Sequence, residues 1–97
     1  VLMLAERIKS LRQKSRMSQA ELARKLNVTR SSVNAWELGI STPTTQYVVE
    51  FANLFHVSSD YILGIESDMK LDISRFNEEE INLIYDLVKY FDKNKMK

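Results

Sequence analysis

The sequence predicts an all-α fold: a compact five-helix unit followed by one further amphipathic helix. Three observations carry this expectation. Apolar residues recur at three- and four-residue intervals through successive short stretches, and again in a final stretch from Ile81 to Phe91. Only two glycines and one proline occur in 97 residues, too few punctuating residues for a strand-and-turn architecture. Strong helix formers, Leu, Ala, Glu and Lys, are spread throughout the chain.

The first helix is expected from Met3 to Lys14, with Leu4, Ile8 and Leu11 facing inward and Arg7, Lys9 and Lys14 outward. Arg16 and Met17 connect it to a second helix with a clear start. Ser18 is a good N-cap, Glu21 completes a capping box, and Met17 with Leu22 is placed to form a hydrophobic staple. Leu22, Ala23 and Leu26 make its inner stripe. Asn27 tolerates the left-handed conformation that ends a helix. Thr29 then caps a third helix running to about Leu38 and stopped by Gly39. Val33 and Trp36, three apart, are its core residues, a better reading for the tryptophan than a stacking site.

Ser41 to Thr44 is a turn into a fourth helix, capped by Thr42 or Thr44, with Tyr47, Val48, Phe51, Ala52 and Phe55 on a wide apolar face. Ser58 caps a short fifth helix, Asp60 to Leu63, closed by Gly64. The stretch after Ile65 is polar and aperiodic, so residues 66–76 are expected to be a linker between a domain of residues 1–65 and a C-terminal element of residues 77–97. There Asn77 and Glu80 form a second capping box and Phe76 and Ile81 a second staple. Ile81, Ile84, Tyr85, Val88 and Phe91 share one face, and Lys93, Lys95 and Lys97 suit the negative end of the helix dipole.

Composition excludes several functions. With no cysteine and a single histidine, neither a disulfide framework nor a zinc site is expected. No serine has a histidine and acid at recognisable spacing, and no glycine-rich phosphate loop occurs, so no catalytic residues and no cofactor are expected. His56 at a helix end reads as a capping or dipole contact, and Asp60, Glu66 and Asp68 as solvated surface. No apolar run approaches the roughly 18 residues of a membrane span. The opening VLMLAERIK turns charged at once, unlike a secretory leader, and a cytoplasmic location is the expectation.

The net charge of +1 hides an asymmetry. Residues 1–41 carry eight basic groups against three acidic ones, residues 42–69 carry four acidic groups and no basic one, and residues 70–97 balance at six and six. The basic third contains Ser18 to Leu38, which reads as two short helices joined by a tight turn. The second of these opens with small polar residues and one arginine, the layout of a helix-turn-helix that enters the DNA major groove. Its basic surroundings are what phosphate binding requires.

The residues offer the matching chemistry. Arg30 can donate two hydrogen bonds to guanine O6 and N7, or clamp a phosphate at the groove edge. Ser31 can donate or accept. Asn34 can match adenine N6 and N7 or reach a phosphate. Ala35 can touch a thymine methyl or simply keep the helix slim. Double-stranded DNA is therefore the expected partner. The apolar stripe of the last helix needs a cover: the same helix of a second copy, its own domain, or another protein. The homodimer is the preferred expectation, since a five-helix unit can already close a core.

The segments QAELARKL, the turn to Thr29, SSVNAWELG, Pro43 and VSSDYILG together resemble the Xre/Cro/phage-repressor family of helix-turn-helix regulators. The resemblance spans about Leu4 to Ile65. It implies a five-helix domain, usually dimeric on its operator. It also implies that Gln19 lies beside a phosphate at the start of helix two. Thr29, Arg30, Ser31 and Ser32 would form the leading end of the recognition helix, Asn34 and Ala35 would lie one turn on, and Thr42 and Thr44 would approach the DNA backbone. Gln19, Thr29, Ser32, Thr42 and Thr44 are thus the phosphate candidates; Arg30, Ser31, Asn34 and Ala35 the base-reading ones. Arg12 and Glu37 match positions that often pair internally. Three departures stand out: Asn27 where glycine is common, Trp36 in place of an aliphatic residue, and no match beyond Ile65. The expected function is a repressor that binds a palindromic operator as a homodimer. The alternative is an antitoxin whose last helix binds a protein partner.

Overall fold

The computed structural model describes residues 2–95 and contains, in chain order, α1 (Leu2–Lys14), α2 (Gln19–Leu26), α3 (Arg30–Glu37), α4 (Thr45–Phe55), α5 (Ser59–Leu63) and α6 (Glu78–Lys95). No strand occurs among the described residues. Lys97 lies outside them.

Each boundary has a local cause. Ser18 accepts from the Glu21 amide while the Glu21 carboxylate accepts from the Ser18 amide, a reciprocal capping box that opens α2. The Ser18 amide, and after it the Ser18 hydroxyl, hold the Glu21 carboxyl below the usual carboxylate range. Asn27 sits at φ 58°, and the amide of Val28 reaches back 2.9 Å to the Ala23 carbonyl, closing α2 as Val28 packs on the core. Thr29 caps α3 through the Ser32 amide. Between the two alternatives for α4 the structure selects Thr44, which enters with extended backbone but makes no side-chain capping bond. Ser58 caps α5 through the Tyr61 amide, and Gly64 ends it at φ 85°. A Cβ at Gly64 would stand 2.7 Å from Met3 Cγ, so both backbone conformation and close approach to α1 call for glycine.

The core gathers one face from each of α1–α5: Leu4, Ile8, Leu11, Leu22, Leu26, Val33, Trp36, Val48, Phe51, Phe55 and Ile62, with Val57 from the turn before α5. Trp36 meets Phe51 edge-on at 5.6 Å and Tyr47 at 5.4 Å, which is how the fold accommodates its bulk. Arg7 does not point outward as its charge had implied. It is half-buried, donates to the carbonyls of Tyr61 and Glu66, and lies 3.9 Å from the centre of the Tyr61 ring. It therefore ties α1 to the end of α5.

Residues 65–76 contain no helix but are not featureless. The Asp72 amide donates to the His56 carbonyl, Arg75 donates to the Asn53 carbonyl, and the Phe76 ring lies 4.9 Å from that of His56. His56 itself ends α4 in the left-handed conformation. Asn77 and Glu80 then exchange both capping hydrogen bonds to start α6, a helix of 18 residues. No described residue of α6 is buried: Ile81 and Ile84 are half-covered, while Tyr85, Val88 and Phe91 are exposed.

Candidate nucleic-acid interface

Helix α3 is only eight residues long, and its two sides are sharply different. Val33 and Trp36 point into the core. Arg30 with Asn34, and Ser31 with Ala35, are four residues apart and so stand above one another on the opposite side. Arg30, Ser31 and Asn34 are exposed, and Ala35 is half-covered. All four base-reading candidates thus share one face of a helix that the core holds from behind. A face with one arginine, three small or polar side chains and no bulk can approach base edges closely.

The phosphate candidates are placed around this face in different ways. Thr29 and Ser32 bond one another, hydroxyl to hydroxyl at 3.0 Å, besides the cap to the Ser32 amide. Their first task is to shape the start of α3. Thr42 and Thr44 are exposed on either side of buried Pro43, in the loop leading from α3 to α4. The Thr44 hydroxyl is free of capping duty. Gln19 opens α2, where the first amides of a helix lack internal partners.

A polar network joins the beginning of α2 to the side of α3. Arg12 grips Glu37 through two bonds, Nε to Oε2 at 2.6 Å and Nη2 to Oε1 at 3.0 Å, and donates a third from Nη1 to the Met17 carbonyl. Only 3% of the Glu37 side chain is exposed, so its charge requires this partner. Hydrogen bonding to Glu37 raises the Arg12 guanidinium above its ordinary range, against the opposing effect of burial. Gln19 Nε2 donates to Glu37 Oε1 at 3.1 Å and to Asn34 Oδ1 at 3.2 Å. The Arg12–Glu37 pairing, which the family resemblance had implied, is present. The Gln19–Asn34 contact had no sequence signal, because it depends on the angle between α2 and α3.

The described residues include no group of acidic, histidine or cysteine side chains that could hold a metal ion. No described helix is long and apolar enough to cross a membrane.

Comparison with known proteins decides the family. The helix-turn-helix family pattern matches residues 8–62, from α1 to α5. The chain belongs to the Xre/Cro-type family of helix-turn-helix transcriptional regulators. The transcriptional regulator ImmR of Bacillus subtilis is 35% identical over 78 residues, covering 80% of this chain and 58% of that protein. The antitoxin PezA of Streptococcus pneumoniae is 30% identical over 98 residues, covering 93% of this chain and 62% of that protein. This chain therefore spans about three fifths of each of these relatives. Among solved structures, the P22 c2 repressor in complex with a synthetic operator superposes with a TM-score of 0.61 at 25% identity, over 65% of this chain and 96% of that one. A chain of the SinR/SinI complex has the same fold across 96% of this chain and 95% of that one, with a TM-score of 0.60 at 23% identity.

Proposed function

We propose that this chain is a sequence-specific DNA-binding repressor that acts in the cytoplasm, reading a palindromic operator as a homodimer. The observation that carries the proposal is the face of α3 formed by Arg30, Ser31, Asn34 and Ala35, solvent-facing on a helix anchored by Val33 and Trp36. In this reading those four residues meet base edges, while the first backbone amides of α2 at Gln19, with Thr29, Ser32, Thr42 and Thr44, meet the flanking phosphates. The fold shared with an operator-bound repressor supports it. Residues 1–65 act as the DNA-binding domain, residues 66–76 join it to α6, and Ile81, Ile84, Tyr85, Val88 and Phe91 meet their counterparts in a second copy. A two-fold assembly would place two α3 helices in successive major grooves, about 34 Å apart.

Selection from a random duplex library at near-physiological salt tests this. A palindrome with half-sites one helical turn apart is the expected result; a folded sample that enriches nothing overturns it. Arg30→Ala then separates base reading from phosphate clamping. Loss confined to the selected site supports base reading, and equal loss on random DNA assigns Arg30 to the backbone.

A second reading, an antitoxin whose α6 covers part of a protein partner, is favoured by the PezA similarity, which spans 93% of this chain. A chain that stays monomeric in light scattering, encoded beside a small toxin-like gene, would support it over the homodimer.

A further inference from the structure

Asn34 carries an amide with two chemically opposite ends, and which end faces outward decides what it can read. A free asparagine offers one acceptor and one donor together, the pattern that matches adenine N6 and N7. In this structure the choice is made by its neighbours. Glu37 is ionised and buried, held by Arg12, and can only accept hydrogen bonds. The Gln19 carboxamide must therefore turn its NH2 toward Glu37, as it does at 3.1 Å. The second N–H of that same group meets Asn34 at 3.2 Å, where only an acceptor fits, and Oδ1 is the atom found there. Each step leaves one polarity possible for the next. The sequence of constraints runs from the Arg12 charge to the outer end of Asn34.

We propose that this relay makes Asn34 a donor-only reader. Its Nδ2 is left as the free end that recognises acceptors, guanine O6 or N7, thymine O4 or adenine N7, while its oxygen, turned to Gln19 Nε2, is drawn away from the exocyclic amino groups of adenine and cytosine. Gln19, spending both its N–H groups inside the network, is a positioning residue for this specificity, and any phosphate at the start of α2 is left to the backbone amides there. The inference rests on the reading of α3 as the recognition helix.

The test uses the full chain and the operator duplex obtained by selection. Asn34→Ala first identifies the base pair whose preference depends on Asn34. Duplexes are then made in which that pair lacks either its exocyclic amino group (adenine N6 or cytosine N4 replaced by hydrogen) or one acceptor at a time. Loss of the amino group should leave the dissociation constant of the wild-type chain within about twofold, whereas loss of one acceptor should weaken binding about tenfold. In Gln19→Met, checked for unchanged helicity and melting, discrimination among the four pairs at that position should relax toward evenness.

A tenfold loss on removing the amino group from the wild-type complex would overturn the donor-only assignment while leaving base reading intact. Undiminished discrimination in Gln19→Met would likewise overturn it. If Asn34→Ala weakens every duplex alike, base reading by Asn34 fails, and the assignment falls with it.

Discussion

Helices α1–α5 and helix α6 are both well-formed, but they are held in different ways. The first five bury a continuous cluster whose centre, Phe51, Ile8, Leu22, Ile62 and Val33, has essentially no contact with solvent. Helix α6 has a capping box, three acidic residues in its first turn and Lys93 and Lys95 in its last, all favourable to an isolated helix. It nevertheless buries no described residue, and Tyr85 and Phe91 are more than half exposed. The contrast teaches that local helix signals and tertiary burial are separable. The first region supplies its own solvent-free interior, and the second carries an apolar stripe suited to a surface from elsewhere.

The core shared by α1–α5 is where a substitution has the largest effect. Phe51→Ala should destabilise α1–α5 by about 3–5 kcal/mol, read from urea unfolding. A loss below about 1 kcal/mol would mean that the interior is less continuous than described. Arg12→Met leaves Glu37 buried without its partner and the Met17 carbonyl without a donor. A loss of about 3 kcal/mol is expected, partly restored when Glu37→Leu is added. Failure of the second substitution to restore stability would show that the ion pair is not the cause.

At the next level, Ser18→Ala should cost about 1 kcal/mol by removing the side-chain cap of α2. The same box makes stability pH-dependent. Glu21 titrates below its ordinary range in the folded chain, so its contribution is complete above the unfolded carboxylate range and disappears as pH falls through the lower folded value. Glu66, held down by the Ser58 hydroxyl and Lys70, and Asp72, held down by Ser74, act in the same direction. Acid unfolding should therefore shift less steeply in Ser18→Ala than in the parent chain. The smallest effect on unfolding is expected on the other side of the comparison. Val88→Asp should change the stability of α1–α5 by no more than about 0.5 kcal/mol, yet halve the mass measured by light scattering. An unchanged mass with intact helicity would remove α6 as a self-association surface.

Much of this architecture was legible because its signals are local. Both capping boxes follow from a cap residue and a glutamate three positions on, and the turn at Asn27 from the tolerance of asparagine for positive φ. Four of the five buried stripes follow from periodicity alone. The charge of Arg7 conceals its position: it lies between Leu4, Ile8 and Leu11 on the inward side of α1, where its long side chain reaches two carbonyls of the α5 end. The left-handed residues Arg16 and His56 carry no compositional mark of their conformation. The ties from residues 72 and 75 back to α4 join positions 16 and 22 residues apart by single hydrogen bonds, which leave no periodic trace. At the candidate site, the face of α3 could be drawn from helical spacing, but the internal partners of Gln19 and Asn34 depend on how α2 crosses α3.

The placement of Trp36 has a practical consequence. It is the only tryptophan in the chain, it belongs to α3, and its ring is packed between Tyr47 and Phe51. Intrinsic fluorescence therefore watches the seat of α3 without any label, while α6, whose aromatic residues are tyrosine and phenylalanine, contributes little to that emission. Excited selectively, one native chromophore reports the loosening of the α1–α5 interior separately from whatever happens to the last helix.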